Sequence, residues 1–235
     1  MEAIILAAGM GTRLGSLIPK PLTSLVNEKT ILDYQIQNLV QKPQINNIYL
    51  VIGYKKEIIM EKFPNLLFVY NNAYARTNTA KSLLAALSKI EDDVIWMNGD
   101  VFFEPEILEL LLESKASACL VDQKKCGAEE IKYKLNGDGF IHQLSKSVKN
   151  AKGEALGINV IRQPDLKEFR DELAKVGETD YFEKALENLT MSEKLKLAPI
   201  DVGRHFCREI DFEEDLAEVQ NYLNKKSLFE NSNPS

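Results

Sequence analysis

The first 22 residues of the chain combine an apolar segment, a glycine-rich turn and two basic side chains. Residues 2–7 are almost entirely apolar, and Gly9 and Gly11 follow them directly. Glycines at the end of a buried strand let backbone N–H groups approach phosphate oxygens closely. Arg13 then offers a planar guanidinium, and Lys20, held between two prolines, offers a compact ammonium. The segment therefore predicts a buried strand that ends at a nucleoside triphosphate site.

Three other interpretations of this glycine turn are possible. A P-loop would need Gly-Lys-Ser/Thr after the turn, and the chain lacks it. A dinucleotide fingerprint would need a third glycine where Leu14 stands, and although Asp33 lies at the spacing of a ribose-binding acid, residues 31–36 indicate the start of a helix. An ordinary turn in a Rossmann-like sheet would leave Arg13 and Lys20 as solvated charges.

Strands and helices alternate through the first half of the chain, which predicts a Rossmann-like α/β fold with a mixed, mostly parallel sheet and helices on both faces. The expected strands of that half are 2–7, 47–53, 66–71, 94–98 and 116–121. The expected helices between them are 30–41, 79–90 and 105–114. A hairpin over 131–144, a strand at 155–161 and helices at 165–176 and 181–190 are expected to follow.

The short connections favour one domain over residues 1–226, followed by a polar tail at 227–235. Within that domain, 1–121 is expected to form the nucleotide-binding half and 122–226 the acceptor-binding half.

Composition narrows the function classes. The 235 residues carry a net charge of −6, and no basic run stands out, which argues against a nucleic-acid partner. No apolar run reaches transmembrane length and no basic segment of a signal peptide opens the chain, so a cytoplasmic protein without a membrane partner is expected. The three cysteines are scattered without a C-x-x-C pair, as in reduced thiols. The sequence does not indicate an oligomeric state.

Two acids are candidate metal ligands. The apolar strand 94–98 delivers Asp100 at its carboxyl end, where the ligands of open α/β sheets bind. An acid beside a triphosphate would be repelled unless a divalent cation lay between them, and Mg²⁺ is the cation that prefers carboxylates and phosphate oxygens. The alternative is that Asp100 only caps the turn before Pro105. Asp211, taken alone, fits a helix N-cap completed by Glu214.

Residues 6–14 and 19–21 resemble the signature of the nucleotidyltransferase family that includes nucleotide-sugar pyrophosphorylases and small cytidylyltransferases. The resemblance implies the nucleotide-diphospho-sugar transferase fold, catalytic roles for Arg13 and Lys20, and a Mg²⁺ pair formed by Asp100 and Asp211. The nucleotide-binding residues that we expect are Leu6, Ala7, Ala8, Gly9, Gly11, Thr12, Arg13, Lys20, Thr77, Asn78 and Ser82.

The segment around Asn78 and Ser82 resembles a stretch of bacterial phosphocholine cytidylyltransferases that lies by the pyrimidine and ribose, although ordinary helix capping also explains it. The six residues between Arg13 and Lys20 also resemble the short loop of cytidylyltransferases. The expected acceptor-binding residues are Lys146, Glu154, Glu178, Asp180 and Tyr181, an acidic and aromatic set that suits a cationic head group or sugar hydroxyls.

The favoured function is transfer of a nucleotide, from CTP, to a small phosphorylated alcohol such as phosphocholine, with release of pyrophosphate. The alternative is a sugar-1-phosphate nucleotidyltransferase that uses UTP, GTP or dTTP. A third hypothesis, a non-catalytic nucleotide sensor, does not require a metal pair. A phosphate acceptor is already a nucleophile at neutral pH, so the lack of a Ser-His or Cys-His arrangement is expected.

Overall fold

A computed structural model of the chain describes residues 1–11, 18–124 and 126–232, and its main feature is a mixed sheet. The strands are β1 (Glu2–Ala7), β2 (Asn47–Ile52), β3 (Leu67–Tyr70), β4 (Val94–Asn98), β5 (Val101–Phe103), β6 (Ala118–Asp122), β7 (Lys132–Leu135), β8 (Ile141–Ser145), β9 (Gly153–Ile161), β10 (Ala198–Asp201) and β11 (Cys207–Glu209). The helices are α1 (Ile31–Val40), α2 (Lys56–Lys62), α3 (Thr79–Leu87), α4 (Glu106–Glu113), α5 (Gln163–Lys175), α6 (Phe182–Met191) and α7 (Glu213–Ser232). None of these helices is both long enough and apolar enough to cross a bilayer.

The main sheet runs β10-β6-β9-β4-β1-β2-β3. Strands β1, β2, β3 and β4 pair in parallel, whereas β9 lies antiparallel between β4 and β6. The hairpin of β7 and β8 joins the sheet through β9. Strands from both halves of the sequence therefore share one sheet.

Helices cover both faces of this sheet, which explains why β1 is apolar at every position after Glu2. Ile4 and Leu6 face the core under α3, α5 and α6, while Ala3, Ile5 and Ala7 face the core under α1, α2 and α4. Burying successive side chains on opposite faces removes the alternation that a half-exposed strand would show. The carboxyl ends of β1 and β4 then open side by side at one edge of the sheet.

A second, two-stranded sheet lies beside that edge. β5 follows β4 after a two-residue turn and pairs antiparallel with β11, near the C-terminus. Helix α7 packs over it through a small apolar cluster that contains Phe102, Ile210 and Val219. The ring of Tyr222 stacks on Phe206 at a centroid distance of 4.2 Å, which fixes α7 against the strand.

The predicted fold class is confirmed, with each expected strand and helix present within a few residues of its predicted bounds. Helix α1 begins at Ile31, where the dinucleotide interpretation needed a strand end. Asp33 belongs to the capping box of Thr30 and pairs with Lys62 at 2.6 Å, so its carboxylate is committed to the helix start. Four short elements, α2, β5, β10 and β11, were not predicted.

Candidate active site

A cavity of about 570 Å³ lies at the carboxyl ends of β1 and β4. The turn after β1, the Gly99–Asp100 turn, the entry to α3, strand β9 and strand β11 all contribute to its walls. Among the predicted nucleotide-binding and metal-binding residues, these line it: Leu6, Ala7, Gly9, Gly11, Lys20, Thr77, Asn78, Asp100 and Asp211. The predictions for Thr12 and Arg13 fall outside the described residues.

Lys20 lies at the base of this cavity and is fixed by the chain on both sides. It opens a short 3₁₀ helix (Lys20–Leu22) between Pro19 and Pro21. Gly11 has φ +58° and lies so close that a β-carbon there would be 2.7 Å from Lys20 Cβ. Any side chain at position 11 would therefore displace Lys20 as well as strain the turn.

The ammonium of Lys20 bridges the two predicted metal ligands. Its Nζ donates to Asp100 Oδ2 at 2.6 Å and to Asp211 Oδ1 at 2.5 Å. Burial by itself would lower the pKa of Lys20, but the two carboxylates outweigh that effect and raise the pKa above its ordinary value. Lys20 is therefore a charged ammonium at neutral pH, held among acids.

The pairing of β5 with β11 explains how two distant aspartates meet. Val101 pairs with Glu209, and the N–H of Ile210 donates to the carbonyl oxygen of Asp100 at 2.9 Å. Asp211 follows directly, so its carboxylate arrives beside Asp100. The start of α7 is capped by Asp215, whose Oδ2 accepts from the N–H groups of Asp211 and Phe212 at 3.1 and 2.9 Å.

A third acid, Glu209, completes this cluster. One carboxylate oxygen from each of Asp100, Glu209 and Asp211 lies within 4.8 Å of the other two. Burial, followed by the charges of Asp100 and Asp211, raises the pKa of Glu209 well above its ordinary range. Oδ1 of Asp100 is buried without a hydrogen-bond partner among the described residues. These three carboxylates offer only oxygen ligands, and two of them already bind the ammonium of Lys20. Together with the unpaired Oδ1 of Asp100, they fit a hard divalent cation.

The segment just before α3 both caps that helix and lines the cavity. Asn78 is the N-cap, and its Oδ1 accepts from the N–H of Thr79 at 2.8 Å while its Nδ2 donates to the carbonyl of Thr179 at 3.3 Å. Thr77 and Asn78 nevertheless line the cavity. Ser82 departs from the prediction, because it is buried one turn into the helix and accepts from Asn71 Nδ2 at 3.0 Å.

Ala8 also lies outside the cavity lining. Its carbonyl oxygen instead accepts a hydrogen bond from the N–H of Tyr54 at 3.1 Å, which ties the turn after β1 to the end of β2.

The wall formed by β9 and the start of α6 is acidic and aromatic. Glu154 is 4% exposed and pairs with Lys124 at 2.7 Å. Lys146 lies 3.1 Å from Glu129 and 5.6 Å from the ring centroid of Tyr181. The ammonium of Lys146 therefore lies near both an aromatic face and a carboxylate on this wall. The predicted acceptor residues Lys146, Glu154 and Tyr181 all line the cavity.

Two other predicted acceptor residues do not line the cavity. Glu178 is exposed, and its carbonyl oxygen accepts from the N–H of Asn78. The carboxylate of Asp180 turns back onto its own loop, where it accepts from the N–H of Gly177 at 2.7 Å. Both residues shape the loop before α6, which supports the α3 entry, and present no side chain to the cavity.

Several cavity residues were missed by the sequence analysis. Glu183 is 6% exposed, and burial raises its pKa to about 7. Lys124 and Arg208 add cations to the lining. Only Glu209 carried a usable signal: it stands two residues before Asp211, and in a strand such residues share a face.

The chain belongs to the MobA-like NTP transferase domain family, whose profile matches residues 3–176. The chain is similar to the "Bifunctional protein GlmU" of Methanocaldococcus jannaschii, at 29% identity over 95% of this chain and 54% of that protein. It is also similar to the D-glycero-alpha-D-manno-heptose 1-phosphate guanylyltransferase of Campylobacter jejuni, at 32% identity over 64% of this chain and 78% of that protein.

The GlmU proteins are longer than this chain. The chain spans 38% of the GlmU of Methanococcus maripaludis and about half of the M. jannaschii protein, at 54%.

Two solved structures share the fold. The CTP:phosphocholine cytidylyltransferase of Streptococcus pneumoniae superposes with a TM-score of 0.76 at 22% identity, over 94% of this chain and 98% of that one. The inositol-1-phosphate CTP transferase of T. maritima gives a TM-score of 0.78 at 19% identity, over 94% of each chain.

Proposed function

We propose that this protein is a Mg²⁺-dependent nucleotidyltransferase that joins CMP from CTP to a small phosphorylated alcohol with a cationic head group, such as phosphocholine. The observation that carries the proposal is one cavity with two unlike walls. One wall holds Lys20 among Asp100, Glu209 and Asp211. The other wall holds Glu154, Tyr181 and further acids that line the cavity near β9. The first suits a polyphosphate with its metal, and the second suits a cation.

The proposed chemistry is an in-line attack of the acceptor phosphate on the α-phosphorus of the nucleotide, with pyrophosphate leaving. Such a transfer depends on positioning and charge neutralisation. Asp100 and Asp211 would hold Mg²⁺, which would neutralise nucleotide oxygens. Lys20 then exchanges its two carboxylate partners for oxygens of the α-phosphate and the incoming phosphate, where negative charge grows. Arg13 would neutralise the leaving pyrophosphate.

The choice of CTP rests on the sequence of the chain. Six residues separate Arg13 from Lys20, as in the short loops of cytidylyltransferases. Asn78 and main-chain groups of the β1 turn lie at the same cavity and can offer donors and acceptors to a base.

A sugar-1-phosphate nucleotidyltransferase is the second candidate. Its support is the similarity to GlmU and to the heptose 1-phosphate guanylyltransferase, which is higher in identity than the similarity to the two cytidylyltransferase structures. The acids and Tyr181 of the β9 side also suit sugar hydroxyls and ring faces.

Pyrophosphate release tests both candidates. The four nucleoside triphosphates are assayed against phosphocholine, aminoethylphosphonate, inositol phosphate and hexose 1-phosphates, with and without Mg²⁺. The first proposal requires release with CTP and a cationic acceptor, and release only with a sugar phosphate and another nucleotide would replace it by the second. No release with any pair would refute both.

A matched acceptor pair isolates the role of the positive charge. Phosphocholine is compared with its uncharged analogue in which carbon replaces the nitrogen, so that shape is kept and charge is lost. A desolvated cation beside an aromatic ring and carboxylates is worth about 2 kcal/mol, which predicts a KM about 30-fold lower for phosphocholine. Equal KM values would contradict a cation-binding wall.

A further inference from the structure

A buried glutamine on α1 holds the turn that carries Asp100. Gln35 is 1% exposed, and its Nε2 donates to the carbonyl oxygens of Asn98 and Val101, both at 2.8 Å. These two residues lie on either side of Gly99 and Asp100. The amide therefore fastens the last residue of β4 to the first residue of β5 and spans the turn between them.

The same turn is tied at two further points. The N–H of Gly99 donates to the carbonyl of Leu6 at 2.9 Å, and the carbonyl of Asp100 accepts from Ile210 at 2.9 Å. These bonds link the turn to β1 and to the segment after β11 that carries Asp211. Gln35 is the side chain of α1 that binds both ends of the turn.

The chemistry of the amide fixes its orientation. Only the nitrogen end of a glutamine can donate to two carbonyl oxygens, so Nε2 faces the turn. Oε1 is then buried without a hydrogen-bond partner among the described residues. A buried amide oxygen without a partner costs stability, whereas the two hydrogen bonds from Nε2 satisfy carbonyl oxygens that an apolar side chain would leave unpaired.

We propose that Gln35 is a positioning residue for the metal-binding carboxylates. By holding both ends of the Asp100 turn, it keeps the Asp100 carboxylate within reach of Glu209 and Asp211. The inference rests on the proposed function only in assigning a divalent cation to these acids. Groups that orient metal ligands through such contacts typically change metal affinity by about 10–100-fold when they are lost.

Asn38 provides a matched control. It lies on the same helix one turn further on, is 7% exposed, and donates from Nδ2 to the carbonyl of Phe103 at 3.0 Å. It therefore ties α1 to the far end of β5 and does not contact the Asp100 turn. Loss of either amide removes a buried hydrogen bond from α1 to β5, and loss of Gln35 also removes the bond to Asn98 at the end of β4.

The test compares Gln35→Met with Asn38→Leu. Mn²⁺ binding to the full chain is measured by electron paramagnetic resonance without nucleotide or acceptor, and urea unfolding is followed in parallel. Both variants should unfold at lower urea concentrations than the wild-type protein. Only Gln35→Met should bind Mn²⁺ more weakly, by about tenfold or more. The half-saturating Mg²⁺ concentration for pyrophosphate release should rise in the same variant.

Wild-type Mn²⁺ affinity in Gln35→Met, or an equal loss in Asn38→Leu, would overturn the inference, as would a wild-type protein that binds no Mn²⁺. If Gln35→Met does not fold, Gln35→Glu replaces it, since a carboxylate keeps the shape but cannot donate to two carbonyls. It should also lose affinity, and an unchanged affinity would overturn the inference. Absence of nucleotidyl transfer refutes the proposed function alone, because the Mn²⁺ measurement needs no substrate.

Discussion

Replacing Lys20 by methionine tests the charge arrangement at the centre of the site. The side chain of Lys20 is 11% exposed, and those of its partners Asp100 and Asp211 are 21% and 26% exposed, so screening by water is limited. Lys20→Met leaves two carboxylates side by side without their cation. Removing one partner of a largely buried pair costs about 3 kcal/mol or more.

That loss converts to a measurable change in thermal stability. For a domain of this size, 1 kcal/mol shifts Tm by about 2–4 °C, so Lys20→Met should melt about 6–12 °C lower than the wild-type protein without metal. Mg²⁺ should then stabilise the variant more than the wild-type protein, because in the variant no ammonium competes for the two carboxylates. Turnover should nevertheless fall about 100-fold, the scale expected when one preorganised charge is lost.

Differential scanning calorimetry with a Mg²⁺ titration gives the first two results, and pyrophosphate release gives the third. Lys124→Met is the control, because Lys124 lines the same cavity but pairs with Glu154 and Asp122. Its Tm should respond to Mg²⁺ as the wild-type Tm does. An unchanged Tm in Lys20→Met, or equal stabilisation of both variants by Mg²⁺, would refute the reasoning about charge. Near-normal turnover in Lys20→Met would show that Lys20 is not needed for catalysis.

Three further changes follow from the same geometry. Burial raises the pKa of Glu183 from 4.5 to about 7, so the folded protein keeps a proton that the unfolded chain releases, and this group should lower stability by about 3 kcal/mol as the pH rises between those values; the stability of Glu183→Gln, measured by urea unfolding, should fall less steeply with pH, and a slope equal to the wild-type one would contradict this. A β-carbon on Gly99 would lie 2.9 Å from Pro21 Cγ, so Gly99→Ala should cost about 1–3 kcal/mol in urea unfolding and slow turnover, whereas wild-type kinetics would show that the turn has room. Tyr222→Phe removes the hydroxyl that donates to Glu104 and should cost about 1–2 kcal/mol without affecting turnover; an unchanged urea midpoint would show that this bond contributes nothing.

The nucleotide side of the fold could be predicted because its signals are local. The apolar run of β1, the turn glycines and Lys20 are close in sequence, and the delivery of Asp100 to the same edge follows from parallel pairing. Helix α3 was predicted from its apolar spacing, and its cap from Asn78.

The rest depends on contacts between distant residues. Strands β5 and β11 have three residues each, too few for a periodic pattern, and they are strands because they pair with each other. Glu183 reads as an ordinary polar residue in the first turn of α6, and only the packing of that helix against the sheet buries it. The carboxylates of Glu178 and Asp180 could not be distinguished from cavity residues by sequence, since the direction of a loop side chain depends on its local hydrogen bonds.

Strand β11 follows its partner β5 at a large distance along the chain, so the site cannot form until both strands have been synthesised. As the chain leaves the ribosome, the phosphate-binding turn and Asp100 emerge well before the segment that carries Asp211. Until it docks on β5, the nascent sheet presents Lys20 and Asp100 without their third partner. A growing polypeptide thus gains its complete cation-holding centre only after the segment that carries Asp211 has been made.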